Sequence, residues 1–296
     1  MRRLQMGMWY QFSEKDWDLY HHELINGLEI SQYEDRDELE RVALFCSNKN
    51  IQFGIHTPVF GKDKTIPEVT SLDDDVYSKA IKSVEEQVAI ASEYGADYLL
   101  LHYPFPPIYS PVVDRRYWNG PPPHAYYYSE KIGGHNFTYI SERLFQDIAN
   151  LQNKHNQRIV LEYDFFGEYE EIFNQMFKEY PDIGLVIDTQ RMEHNKRTFP
   201  DFNPYAWLDQ IYKYVYLVHY SNVRFGEETQ RHLPVLPSHE ELENYGNSLS
   251  YLSYIAKKNN TFHVTFEHNP KAVSREELVD CYEVAHSVLK SVNAPV

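Results

Sequence analysis

The chain has 296 residues, 42% of them hydrophobic, enough to bury a large core as one big domain or two small ones. Its 28 basic and 44 acidic residues give a formal net charge of −16, a field that repels nucleic acid and anionic membrane surfaces. No apolar run approaches the roughly 18 residues of a membrane span or the core of a signal peptide, and Cys46 and Cys281 lack a CxxC spacing. The expectation is a soluble, cytoplasmic protein with two packed free thiols.

In chain order, β-rich apolar runs are expected near 4–9, 25–30 and 51–56, with a helix from Glu38 to Cys46 before the third. The clearest helix runs from Ser71 to Tyr94, where Leu72, Val76, Ala80, Val84, Val88 and Ala91 recur at steps of three and four. Gly95 is placed to stop it with a positive φ. Further runs near 97–102, 158–163, 183–188, 214–220 and 261–267 read as strands. Helical patterns span Ile140 to Leu151, Tyr169 to Phe177, Glu240 to Ile255 and Arg275 to Leu289. Eight strands alternating with helices predict an α/β fold, a (β/α)8 TIM barrel forming a single domain over 1–296. An open doubly wound sheet is the rival, but the chain has neither GxGxxG nor GxxxxGK[ST].

One connection is abnormal. From Tyr103 to about Phe137, after the fourth strand, the chain is rich in proline and aromatics, including Pro121-Pro122-Pro123 and Tyr126-Tyr127-Tyr128. A loop this long is usually a functional lid or disordered, and the aromatics argue against disorder. It is expected to form a lid or wall over the site; a subunit-contact arm, compatible with a homodimer, is the alternative.

Seven of the eight apolar runs end in His, Glu or Asp: Glu29, His56, His102, Glu162, Asp188, His219 and Glu267. In a parallel barrel, side chains at the carboxyl ends of strands converge on one mouth. Glu162, Asp188, His219 and Glu267 would bring three carboxylates and one imidazole together, and unpaired carboxylates held close cannot all stay ionised without a cation. One divalent metal resolves the conflict. The oxygen-rich set with one nitrogen favours Mn2+, Mg2+ or Co2+ and admits Zn2+. Taken singly, each residue is as well explained by a solvated strand end or an ion pair.

These residues resemble the xylose-isomerase-like TIM barrels, which include sugar isomerases and epimerases and the endonuclease IV group (AP endonuclease family 2). The likeness rests on Leu-Glu-Tyr-Asp at 161–164, Val-Ile-Asp-Thr at 186–189, Val-His-Tyr-Ser-Asn at 218–222, Gln-Arg-His at 230–232 and Phe-Glu-His-Asn at 266–269. The resemblance implies that Glu162, Asp188, His219 and Glu267 hold the metal, with Glu162 and Glu267 also acting as acid and base. It places His56 and His102 at a second metal or against substrate hydroxyls. Arg191 stands where the family has a histidine, and Gln230 where it has an aspartate. Arginine offers no lone pair, so a trinuclear phosphodiesterase site is disfavoured. Arg191, His232 and Trp9 are candidates for substrate binding, and Trp9 and Glu29 for walls of the pocket, with ordinary packing the alternative.

The expected function is a divalent-metal-dependent isomerase or epimerase that removes a proton beside the carbonyl of a small polyhydroxy substrate. A dehydratase on the same scaffold and an endonuclease IV-like hydrolase with two metals are the alternatives. The expected partner is a small sugar or sugar-derived molecule, not nucleic acid or membrane.

Overall fold

The computed structural model describes residues 2–8, 12–63, 66–114, 116–117, 126–164 and 168–291. Eight strands form the barrel: β1 Leu4–Met8, β2 Gly27–Tyr33, β3 Gln52–Phe60, β4 Leu99–Tyr103, β5 Ile159–Tyr163, β6 Gly184–Asp188, β7 Val215–Tyr220 and β8 His263–Phe266. All neighbouring pairs are parallel, and β1 closes the ring against β8. A helix follows each strand: α1 Glu14–Tyr20, α2 Arg36–Lys49, α3 Asp74–Glu93, α4 Gly134–His155, α5 Glu170–Glu179, α6 Thr189–Thr198, α7 Ser248–Lys258 and α8 Arg275–Ser291. The expected α/β TIM barrel is the observed fold. No helix among the described residues is long and apolar enough to cross a membrane.

The strand alternation sorts side chains into two layers. Leu28, Ile30, Leu101, Tyr103, Leu161, Val218 and Tyr220 join the large core beneath the helices. Tyr98, Leu100, Val160, Val186 and Leu217 form a separate plug inside the barrel. Between β6 and β7 the register shifts at Tyr216, so that Val186 pairs with Leu217 and Asp188 with His219. The floor of the barrel is polar and its charges are paired: Arg3 pairs with Asp97 and donates to Gln52, and its guanidinium lies 3.0 Å from the Tyr216 hydroxyl.

Several expected helices change their limits for identifiable reasons. α3 starts at Asp74 because Asp73 caps it, its Oδ1 accepting from Asp75 and Val76 amides at 2.9 and 3.0 Å. Leu72 therefore precedes the helix and is 48% exposed. Gly95 has φ +71°, as its place after the helix requires. α7 starts at Ser248 rather than Glu240, because the Glu240 carboxylate turns back and accepts from the Leu249 and Ser250 amides at 3.2 and 3.1 Å. α1 and α6 carry too weak an apolar period to be read from the sequence, and a helix at Pro204–Ile211 buries Trp207, Leu208 and Ile211 but has only 8 residues. α6 in particular buries polar Gln190, Glu193, His194 and Asn195.

The described parts of the long connection carry regular structure. Ile108–Tyr109 pairs in parallel with Tyr127–Tyr128, a helical turn follows at Ser129–Ile132, and α4 begins at Gly134. Tyr109 and Tyr126 are buried, and the Asp114 amide donates to Thr198 O at the end of α6 at 2.6 Å. Trp118 and Pro121-Pro122-Pro123 lie outside the described residues.

Candidate metal centre at the barrel mouth

Inward residues of seven strands, or of the segments that directly follow them, meet above the plug. Pairing registers place His56 opposite Leu100, His102 opposite Glu162, Asp188 opposite His219, and Thr265, two residues before Glu267, opposite His219. Glu162, His219, Glu267 and Glu29 are buried to within a few per cent of full exclusion.

His219 is the hub. Its Nδ1 lies 3.3 Å from Glu162 Oε1 and 3.3 Å from Glu267 Oε1, and its Nε2 lies 2.9 Å from Glu29 Oε1. None of these contacts has the alignment of a hydrogen bond, and both ring nitrogens are buried. Glu162 Oε2 faces the other way, 3.5 Å from His56 Nε2 and 3.4 Å from His102 Nδ1. His56 Nδ1 lies 2.7 Å from Thr57 O. A carbonyl only accepts, so Nδ1 carries the proton, and a neutral His56 ring then turns an Nε2 lone pair towards Glu162. Two sets of three donors thus gather within 4.8 Å of one another: His56, His102 and Glu162, and Glu29, His219 and Glu267.

Arg191 occupies the flank of the site beside Glu162. It sits in the first turn of α6, with Nη2 3.3 Å from Glu162 Oε1, Nη1 donating to Tyr163 O at 3.0 Å and to Asp164, and Nε 3.8 Å from Asp188 Oδ2. Asp188 is partly committed elsewhere: its Oδ1 accepts from the Arg191 amide at 3.0 Å and caps α6. Asp188 belongs to neither set of three. The guanidinium expected to face substrate is turned onto protein carboxylates. His232 lies on the short strand Gln230–Leu233 with φ +55°, its amide donating to Gln190 Oε1 at 2.6 Å. Trp9 lies outside the described residues.

The electrostatics follow from this crowding. Burial by itself would raise the Glu162 carboxyl, but Arg191, His102 and His219 outweigh it and hold Glu162 well below the ordinary carboxylate range. Burial lifts Glu267 to about 8; of its charged neighbours His219 pulls it down while Glu162, Asp188 and Glu29 push it up. Asp188 is also raised by burial, against the pull of Arg191. His219 is held well above the ordinary histidine value because Glu267, Glu29 and Glu162 overcome its burial.

The residues fit a divalent cation on geometry. Donor atoms about 2.1 Å from one ion lie about 3.0–3.4 Å apart for right-angle to tetrahedral arrangements. The 3.3 Å separations of His219 Nδ1 from Glu162 and Glu267 match that spacing, and their unaligned contacts leave the lone pairs for a cation.

No protein-family model and no curated protein matches the sequence. Solved structures match along its length. The IolI protein with a bound zinc atom has a TM-score of 0.64 at 14% identity, covering 100% of each chain. L-ribulose 3-epimerase gives 0.61 at 11%, covering 99% of each. Mannonate dehydratase from Streptococcus suis serotype2 gives 0.64 at 8%, covering 99% of this chain and 96% of its own. The chain has the xylose-isomerase-like TIM-barrel fold. At these identities the likeness is one of fold, and within that xylose-isomerase-like frame this chain's own residues define the site.

Glu29, Asp164 and Tyr98 carry more of the site than the sequence reading assigned them. Asp164 takes His102 Nδ1 at 2.9 Å as well as Arg191. The available signal was period two: 98, 100 and 102 fall on one face of β4 and the residue before it, as do 162 and 164 at the end of β5.

Proposed function

We propose that the protein is a divalent-metal-dependent isomerase or epimerase of a small polyhydroxy carbonyl compound, a sugar or a close derivative. The observation that carries this reading is the pair of buried glutamates at equal distance from one imidazole nitrogen. Glu267 follows β8 and Glu162 ends β5, so they reach His219 on β7 from opposite directions around the ring. Glu162, Glu267 and His219 Nδ1 would hold the ion, with Asp188 beside them. When bound, it would polarise the substrate's carbonyl and neighbouring hydroxyl and so acidify the carbon-bound proton.

The chain's residues supply the rest. Glu162, kept ionised by Arg191 and the histidines, is suited to accept the proton. Glu267, in the more acid-retaining environment, is suited to return one. Two carboxyl groups whose surroundings push their proton affinities apart are the arrangement that divides base from acid. Approach from two directions permits return of the proton to the opposite face, as an epimerase requires. Arg191 holds Glu162, Asp164 and Asp188 in place, and His56 and His102 are placed to meet hydroxyl groups of the substrate. The structural neighbours that are epimerases support this reading.

The second donor set, His56, His102 and Glu162, favours one alternative, a two-metal hydrolase, and the zinc atom in the IolI structure is in keeping with it. Metal stoichiometry separates the two. One exchangeable Mn2+ per chain, its affinity lowered at least tenfold in Glu162→Gln and Glu267→Gln, is the result expected here. Two tightly held Zn2+ per chain would favour the hydrolase, and no binding of either ion would end both readings.

A further inference from the structure

A buried chain of side chains runs from the floor of the barrel to the back of His219. Gln5 Nε2 donates to the Tyr98 hydroxyl at 2.8 Å and to Thr265 Oγ1 at 2.9 Å. The Tyr98 hydroxyl donates to Glu29 Oε2. Glu29 Oε1 faces His219 Nε2 at 2.9 Å. Gln5, Tyr98, Thr265 and His219 have no exposed surface, and Glu29 has 4%.

Donor and acceptor inventories fix the polarity of this chain. The Gln5 amide nitrogen can only donate, so the Tyr98 oxygen accepts from it and points its single proton elsewhere. The acceptor within reach is the Glu29 carboxylate. With Oε2 engaged by Tyr98, Oε1 is free to accept from Nε2–H of the imidazole. A ring with its proton on Nε2 presents Nδ1 to Glu162 and Glu267, the side where the donors converge.

The backbone has made room for this path. Gly54 is the register partner of Glu29, and a Cβ there would lie 2.0 Å from Tyr98 Cζ. Gly27 opens the same strand as Glu29, and its Cβ would lie 2.9 Å from Gln5 Cγ. Glycine inside a strand costs backbone entropy and offers no side chain to pack. Here two of them free the space that Tyr98 and Gln5 fill.

We propose that Glu29 and Tyr98 are positioning residues, holding the proton of His219 on Nε2 and aiming Nδ1 at the space between Glu162 and Glu267. The proposal deepens the metal-dependent reading above and rests on it for what Nδ1 binds. It makes Glu29 an outer carboxylate that orients a ligand histidine rather than a ligand itself. Asp188, at the end of β6, and Glu29, third in β2, then have different tasks on opposite flanks of one imidazole.

The test uses the full chain labelled with 15N at histidine, metal-free and with Zn2+ added, read by NMR together with Zn2+ titration calorimetry. In the wild type a protected, strongly downfield proton on His219 Nε2 is expected in both forms. It should move upfield in Glu29→Gln, where a neutral amide replaces the carboxylate, and to a smaller extent in Tyr98→Phe. Zn2+ affinity should fall 10- to 100-fold in Glu29→Gln and about tenfold in Tyr98→Phe, the range that outer partners of ligand histidines command. Should Tyr98→Phe fail to fold, Glu29→Gln carries the test alone, since it preserves shape. A wild-type ring without a protected Nε2 proton, or one that Glu29→Gln leaves unmoved, overturns the proposal. If the wild type binds neither Zn2+ nor Mn2+, the functional reading fails instead, and the Nε2 proton still decides the positioning role.

Discussion

The two ends of this barrel handle buried charge in opposite ways. At the floor, Arg3 meets Asp97, Gln52 and Tyr216 in hydrogen bonds, so its charge is paired within the chain. At the mouth, five carboxylates (Glu29, Glu162, Asp164, Asp188 and Glu267) crowd one arginine and three histidines, and the ring nitrogens of His219 find no aligned partner. The difference separates groups placed for stability from groups held ready for a ligand. Leaving buried polar atoms without partners costs free energy, about 1–3 kcal/mol each, and persists where function requires it.

Substitutions at the two ends should therefore affect different observables. The largest effect is expected for Glu162→Gln, which should reduce turnover of a responsive sugar by about 10²–10⁴-fold while the thermal midpoint holds or rises. Steady-state kinetics and a melting curve check both halves, and a large loss of Tm with turnover intact would erase the distinction. At the floor, Asp97→Asn should cost about 2 kcal/mol of stability in urea unfolding, because it removes the charged acceptor of Arg3. Its kcat should stay near the wild-type value.

A smaller effect sharpens the account of the mouth. Arg191 supplies a built-in positive charge to Glu162, Asp164 and Asp188. Arg191→Gln should raise Mn2+ affinity about five- to tenfold by calorimetry, the weight of about one unit charge at close range through a water-like dielectric. An unchanged affinity would mean that these carboxylates take no part in holding the ion.

A separate, pH-dependent effect concerns His268, kept neutral beside Cys281, its proton affinity pushed down to about 3 by burial. In the unfolded chain it takes up a proton near the ordinary value of about 6.5. The unfolded state then binds more protons than the folded state, so stability is complete above about pH 6.5 and declines as pH falls towards 3. His268→Phe should flatten Tm against pH between 6.5 and 4.5, and an unaltered slope would count against a neutral buried ring.

The barrel was legible because eight β-rich runs with turn signals and one long amphipathic helix repeat a pattern that few topologies accept. The strand-end residues were legible for the same reason, since a His, Glu or Asp closing a buried strand contradicts the local pattern. Asp188 and Glu29 show where this reasoning stops. Both are acidic residues that close an apolar run in the sequence, but Asp188 ends its strand, caps the helix that follows and faces Arg191, while Glu29 lies third in the seven-residue β2 and backs His219. Only the register of Glu29 with Gly54, and the reach of Tyr98 across it, distinguish the two roles, and neither is encoded in local spacing. α6 escaped notice because its polar residues are buried by the site and leave little apolar period.

Proton transfer itself is the most direct test of the central claim. Wild-type protein supplied with Mn2+ in D2O and offered a panel of small ketoses should incorporate deuterium at the carbon beside the carbonyl of at least one of them, read by NMR. Glu162→Gln and Glu267→Gln should each suppress that incorporation. No incorporation across the panel, or incorporation that both variants leave intact, would contradict the assignment of Glu162 and Glu267 as the proton-transfer pair.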